Sequence, residues 1–597
     1  MRTCECQPLE GRRLFSAADI VLPSPEFLEP TDVQAILAQA ASRARPGQVA
    51  AVVDREGAVL GVIARAGGNA SETATIADLA VQRARTAAAF QSAQNAFTTR
   101  TARFIIQNHF PEPVRQTPGG PLYGVQFSSF PGSDVLLPEL IGNTGAISAD
   151  PGGVPLYVNG VAVGGIGVAG DGRDVSPNEE LKETLIDLRG DYGERSIRRV
   201  FRGNEERDFD EAVAIAGAKG YAAPKAIRAT RVFIDGLRFP FTRSGAAGRG
   251  PGQTFDQITN AGAAALVAVP AAGKADPAII AGTPRLTNGE VAGVTGLYRN
   301  RGAAGATAPQ EAARTPINET LSSTDASLGD VGDPDSTAAV TLSAADVETI
   351  ISNAVQQSFI TRAGIREPDG VRAQVHVVVV DRDGDVLSIF RMADATNFSY
   401  DVAVQKARTA AFFSDDTHAI STRALGFVSQ KFFPIGIDGG VRGPLFTLQD
   451  KVNIVRNGDG TLTPNLPNLA DTALPNGITI FPGGLPLYKN GVLVGGIGIS
   501  GDGVDQDDLI AFGGTAGFRP PNNIRSDQLD DTQLTNLFTA RATQLAIDAG
   551  LSVGPAPAND PDALRRFDPD TARQRLAAGL PRLQLPYVKF PRNFEES

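Results

Sequence analysis

The sequence predicts an α+β protein made of two tandem copies of one domain, each an antiparallel sheet with packed helices. Three observations carry this. The segment Pro151–Gly172 (PGGVPLYVNGVAVGGIGVAGDG) returns as Pro482–Gly503 (PGGLPLYKNGVLVGGIGISGDG), a constant 331 residues later and without a gap. β-Branched runs closed by Asp recur at Val49–Asp54 and Val375–Asp381. An Ala-rich helical segment recurs at Ala80–Phe90 and Ala403–Phe413. Two copies this far apart mark a duplicated domain, not a short solenoid repeat.

The elements follow in order. Thr31 and Ser343 are read as N-caps of a first helix, since an apolar stripe at helical spacing follows each. The runs ending at Asp54 and Asp381 lead into Asp-x-x-Gly turns at Gly57 and Gly384, hence two strands of a hairpin. The Ala-rich helix comes next, its small side chains suited to close packing on a sheet, and it continues or restarts through Thr98–Arg100 and Ser421–Arg423. The recurring segment then makes a second hairpin, with Asn159-Gly160 and Asn490-Gly491 as its turns. Copy one is expected to finish with a helix at 210–220 and a strand over 231–241. For copy two the counterparts are a helix over 534–549 and a strand at 585–590.

The resulting division is an N-terminal arm (1–27), a first domain (28–241), a Gly/Ala/Pro-rich linker (242–337) and a second domain (338–597). The linker is expected to be largely irregular, with a short strand near 265–270, and to lie over a surface.

Composition sets limits. The chain has 597 residues, 42% of them hydrophobic, and a net charge of −11, which gives no basic surface for nucleic acid. No apolar run is long enough for a membrane span. The start lacks a signal-peptide core, which leaves cytoplasmic and exported locations both open. Cys4 and Cys6, the two cysteines, are too close together to staple a domain. Neither a Gly-x-Ser-x-Gly nor a His-Glu-x-x-His motif occurs, and Cys-x-x-Cys-His for covalent haem attachment is missing.

In copy two the order Val379-Val-Asp381-x-x-Gly384-x-x-Leu387, Arg391-Met-Ala-Asp394, Lys406-Ala-x-Thr409-Ala, Thr417, Gly483-Gly-x-Pro486 and Gly495-Gly-Ile-Gly-Ile-Ser-Gly501-Asp resembles the GlcG/HbpS (DUF336) family. The resemblance covers roughly 28–241 and 338–594. It implies a profilin-like fold, oligomers (here a pseudo-dimer of the two copies) and, for some members, binding of haem or a corrinoid. Copy one departs from the pattern, with Arg83 for Lys406, Gln94 for Thr417 and Ala169 for Ser500. Copy two is therefore the expected ligand site.

Haem needs an apolar slot, an axial ligand and cations for its propionates. His418, following Thr417 at a helix junction, is the metal-ligand candidate. His376 sits in a strand and reads as core, and His109 reads as a solvent-facing loop residue. Arg391 and Lys406 are the candidate propionate partners, with ion pairs to Asp381 or Asp394 as the alternative. Gly483, Gly484, Pro486, Gly495 and Gly496 could form a side-chain-free floor for a flat ligand, or serve only as turn and bulge positions. Asp54 and Asp381 read as acid/base groups or as turn formers. The leading expectation is a tetrapyrrole-binding protein for haem storage, sensing or delivery. A scaffold subunit docking through its arm and linker, or an enzyme acting on a small carboxylate, are the alternatives.

Overall fold

Each copy of the repeat folds into an antiparallel sheet with helices on both faces. In the computed structural model, residues 27–106, 120–122, 147–172, 207–282, 340–430 and 474–589 are described, apart from 235, 249–251, 271–275, 556 and 558–565; so are 286–291, 294–299, 443–446, 448, 454–456 and 462–464. Residues 1–26 of the arm (with Cys4 and Cys6), His109 and all of 300–339 lie outside them.

Repeat one runs α1 (Pro30–Ala41), β1 (Val49–Asp54), β2 (Val59–Arg65), α2 (Ala70–Ala89), α3 (Thr99–Ile105), β3 (Gly153–Val158), β4 (Val161–Ala169) and α4 (Phe209–Gly217). Helix α1 begins at Pro30 with Glu29 as N-cap, not Thr31, because proline suits the first helical position and the Asp32 carboxylate accepts the Glu29 N–H at 2.9 Å. The turns behave as local chemistry dictates. Asp54 Oδ1 accepts the N–H groups of Glu56 and Ala58 at 3.0 and 2.8 Å, and Asn159 and Gly160 take φ of +50° and +84°.

The region after α4 departs from expectation. A full strand over 231–241 is replaced by a two-residue hairpin, β5 (Phe233–Ile234) with β6 (Leu237–Arg238), outside the main sheet. The span read as linker instead supplies α5 (Phe255–Asn260) and sheet strands. Strand β7 (Ala264–Leu266) pairs with β2, which gives the order β3-β4-β1-β2-β7. The hairpin β8 (Leu286–Val291) with β9 (Val294–Arg299) joins the second sheet.

Repeat two runs α6 (Ala344–Ile360), β10 (His376–Asp381), β11 (Val386–Met392), α7 (Ser399–Phe412), α8 (Thr422–Val428), the small pair β12 (Ile454–Arg456) and β13 (Leu462–Pro464), then β14 (Gly484–Lys489), β15 (Val492–Ser500) and α9 (Val504–Gly514). Its sheet order is β14-β15-β10-β11-β9-β8. Ser343 caps α6 as expected. The counterpart of α4 is α9, not the helix near 534–549. Gly217 and Gly514 pack identically, each against an Ile side chain of the sheet and an Ala of the first helix. The spacing falls from 331 at the hairpins to 297 here because copy one carries a longer connection after Gly172. Residues 585–588 form no strand, and Pro586 has no N–H to give a ladder.

Both faces of the central strands are buried, so they read as continuous apolar runs. In β1, Ala50 and Val52 join the core under α1 and α4, while Val49, Ala51 and Val53 join the core under α2. In β10, Val377 and Val379 face one core and Val378 and Val380 the other.

The two repeats meet over an apolar seam. Phe90 stacks on Phe398 at 4.4 Å, and Ile365, Phe398, Val402 and Phe481 of repeat two join the cluster around Phe97 and Phe239 of repeat one. In repeat two the equivalent face is covered differently. Phe413, at the position of Phe90, packs on Phe538 of α10 (Asp531–Asp548), which is backed by α11 (Pro569–Gly579). Among the described residues, no helix is long and apolar enough to cross a membrane.

Candidate functional site

The glycine hairpins lie directly beneath the Ala-rich helices. A Cβ on Gly496 would stand 2.3 Å from the Ala407 carbonyl oxygen, so the absent side chain lets α7 sit backbone-to-backbone on β15. Gly483 takes φ of +111°, and a Cβ there would meet Ile499 O and Asp507 Cβ. Gly484 donates its N–H to Thr422 Oγ1 at 2.9 Å. Gly495 sits opposite Asp381, and Pro486 opposite Gly496, in the ladder. This face of the hairpin is occupied by helix rather than open to a flat ligand, which favours the turn-and-bulge reading of these five positions.

Lys406 is equally committed. From α7 its Nζ donates to Ile499 O at 2.7 Å and pairs with Asp507 at 2.8 Å, fully buried. Burial works against both charges: it lowers the Lys406 pKa and raises the Asp507 carboxyl to about 7. Repeat one does the same with Arg83, which reaches Val168 O at 2.6 Å and Asp210 at 2.9 Å. The acid after each is also paired across to the following helix, Arg100 with Glu211 and Arg423 with Asp508. The sequence comparison missed Asp507 and Asp508, although Asp210-Glu211 is their counterpart. The changed spacing hid them.

Arg391 leaves its own repeat. Its Nη1 contacts both Glu56 oxygens at 2.8 and 3.1 Å, and its Nη2 donates to Ala395 O at 2.9 Å. The alternative to a propionate was an ion pair with Asp381 or Asp394; the partner here is Glu56, from the β1–β2 turn of repeat one. Asp394 is taken by Arg366 at 2.6 Å and by the Ala93 N–H at 2.9 Å. Arg366, buried and missed in the sequence, also binds Asp502 and the Ser92 hydroxyl. A charged network therefore stitches the seam.

The two described histidines differ in environment. His376 is fully buried, edge-on to Tyr400 at 5.6 Å, and neither ring nitrogen has a hydrogen-bond partner among the described residues. Desolvation, then the charges of Arg391 and Arg55, hold its pKa well below the usual value, so it is a neutral core residue. His418 is different. Its side chain keeps 21% exposure, and Nδ1 lies 2.9 Å from both Asp415 Oδ1 and Thr417 Oγ1. Thr417 also donates to Asp415 at 2.8 Å. Burial tends to raise the Asp415 pKa, but hydrogen bonds from His418 and Thr417 outweigh it and hold the carboxyl below the usual range. The loop is fixed from beneath by Tyr488, whose hydroxyl lies 2.7 and 2.9 Å from the carbonyls of Asp415 and His418. Tyr157 does the same in repeat one for Ser92 and Asn95. Asn95 therefore occupies the place of His418, and repeat one has no imidazole there. The two recurring tyrosines are loop anchors.

The fit to a metal-centred ligand is thus partial. A carboxylate on one imidazole nitrogen is the arrangement that orients a metal-ligating histidine, and Nε2 has no hydrogen-bond partner among the described residues. The two cations expected to meet propionates are already paired.

The family comparison agrees with a tandem duplication. A family model described as haem degrading protein HbpS-like matches residues 28–176 and 342–516, together more than half of the chain. The corrinoid adenosyltransferase PduO of Salmonella typhimurium is 28% identical over 152 residues, 26% of this chain and 34% of that protein. An uncharacterized 15.0 kDa protein in the dhaT-dhaS intergenic region of Citrobacter freundii is 30% identical over 133 residues, 22% of this chain and 68% of that protein. The chain spans about a third of the length of the PduO relatives. Among solved structures, a PduOC:heme complex is 26% identical and covers 30% of this chain and 96% of its own, with a TM-score of 0.20. HbpS of Streptomyces reticuli, as a double mutant, is 24% identical and covers 31% and 91%, with a TM-score of 0.19. The chain belongs to the HbpS-like (DUF336) family and carries two tandem copies of its domain.

Proposed function

We propose that the protein binds a tetrapyrrole, haem or a corrinoid, for storage, sensing or delivery, and that His418 of repeat two is the residue that meets the metal. The observation that carries this is the Asp415–His418 pair. The carboxylate fixes the ring, leaves Nε2 to a ligand, and sits on a loop anchored by Tyr488. Support from relatives is consistent: the family is described by a haem-degrading protein, and the PduO relatives are named for corrinoid chemistry. Repeat one carries Asn95 in the equivalent place, so among the described residues this pair occurs in repeat two. A bound haem or corrinoid would bring its own redox and ligand-exchange chemistry; His418 and Asp415 would hold and orient it.

The alternative, an enzyme on a small carboxylate, drew on Arg391 and Lys406. Each now has a carboxylate partner within the chain. The scaffold reading drew on the linker, whose described parts dock on this chain's own sheets. The test is titration of the full chain with haemin. Wild type is expected to give a shifted Soret band at one equivalent, and His418→Ala to weaken binding roughly tenfold or more. An unchanged haemin spectrum with wild type would overturn the haem reading, and an unchanged cobalamin spectrum in a parallel titration the corrinoid one.

A further inference from the structure

A cleft of about 550 Å³ opens between the segment that trails repeat one and the loop that precedes the first strand of repeat two. That volume lies in the range of about 300–1,000 Å³ found for small-molecule sites, which favour domain junctions. Repeat one contributes Lys225, Arg228, Arg231, Arg238 and the ring of Phe233; repeat two contributes Glu367 and Asp369. Four cations thus face two acids, in a chain whose net charge is −11.

None of the four cations makes an ion pair among the described residues, whereas Lys406, Arg391 and Arg366 are all paired. Arg228 is pre-set, with Nε and Nη2 donating to Ala223 O at 3.0 and 2.8 Å. The Arg238 guanidinium stands 4.8 Å over the Phe233 ring, which remains 53% exposed. Among the described residues no His, Cys, Met or Tyr lines the cleft, so they offer no ligand suited to a haem or cobalt centre. It is separate in chemistry from the His418 loop.

We propose that this seam cleft is a second binding site, for a small polyanion carrying two or more phosphate or carboxylate groups. Guanidinium groups offer paired donors that match either group. The site draws its walls from both repeats. Its repeat-two wall is tied to repeat one through Glu367 N–H to Gln94 O at 2.9 Å, beside the buried Arg366. A bound polyanion would therefore brace the seam.

Calorimetry of the full chain at low salt, with inorganic pyrophosphate and with citrate as probes, tests this. Wild type is expected to bind at least one of them; pyrophosphate alone would assign phosphate, and citrate alone carboxylate. The double variant Arg231→Glu/Arg238→Glu changes two exposed side chains and should lose roughly tenfold or more in affinity. Glu367→Gln should tighten binding, a gain that misfolding would not produce. His418→Ala should bind the probe as wild type does, which keeps the two sites distinguishable. The proposal is overturned if neither probe binds at millimolar concentration, or if the double variant binds like wild type.

Discussion

Lys406 and Arg83 perform one task with two chemistries: each pins the last strand of its sheet to an acid on the following helix. Removing the cation strands a buried carboxylate, which costs about 3–5 kcal/mol. Lys406→Ala is therefore expected to lower the urea midpoint of the chain sharply. Lys406→Arg, which copies repeat one, should cost much less. Equal losses for the two substitutions would contradict this role. Asp381 gives a pH signature. Burial, then the charges of Asp385 and Asp383, raise its carboxyl to about 7 despite two N–H groups donated to it. A carboxyl raised in the folded state binds its proton more tightly there than in the unfolded chain. Its stabilisation is therefore full below about pH 4 and lost as pH rises through about 7, by at most about 1.4 kcal/mol per pH unit. Asp381→Asn keeps the turn acceptor and should flatten urea-measured stability between pH 4 and 7; an unchanged slope would refute it. At this scale the sequence exposed what is local. The Asx turns at Asp54 and Asp381, the Asn-Gly hairpins and the Ser343 cap all depend on neighbours within a few residues. The partner of Arg391 stands 335 residues away, and no local pattern points to it.

Among the elements, the hairpins and the Ala-rich helices were legible because their periodicity and turn residues are intrinsic. The short strand expected near 265–270 is β7, but β8 and β9 were not legible, since a short run becomes a strand only when a distant edge is there to pair with. Helix α10 is the most informative element. It supplies Phe538 to cover Phe413, where repeat one uses Phe398 of its neighbour to cover Phe90. Arg541 reinforces this by donating to Ser414 O at 3.0 Å. The C-terminal helices thus close a face that repeat one closes with repeat two. Phe538→Asp places a charge in that buried layer and is expected to cost about 3–5 kcal/mol. Hydrogen exchange should show protection lost most over 422–428 and 531–548, and less in repeat one. Equal loss in both repeats would mean that α10 is not a local cover.

For the molecule as a whole, duplication and family were legible because the glycine hairpin is long and nearly unchanged between copies. The seam was not, because its buried network of Arg366, Asp394, Asp502, Arg391 and Glu56 draws on both repeats. A seam stitched by buried charges and stacked rings should make the two repeats unfold together. Arg366→Ala is expected to split one calorimetric transition into two; a wild type that already shows two would contradict the coupling.

The most direct measurement is haemin titration of wild type, His418→Ala and Lys406→Arg side by side, read at the Soret band. The histidine-centred account predicts a shifted band for wild type and Lys406→Arg and its loss in His418→Ala. A band that survives in His418→Ala but disappears in Lys406→Arg would contradict it.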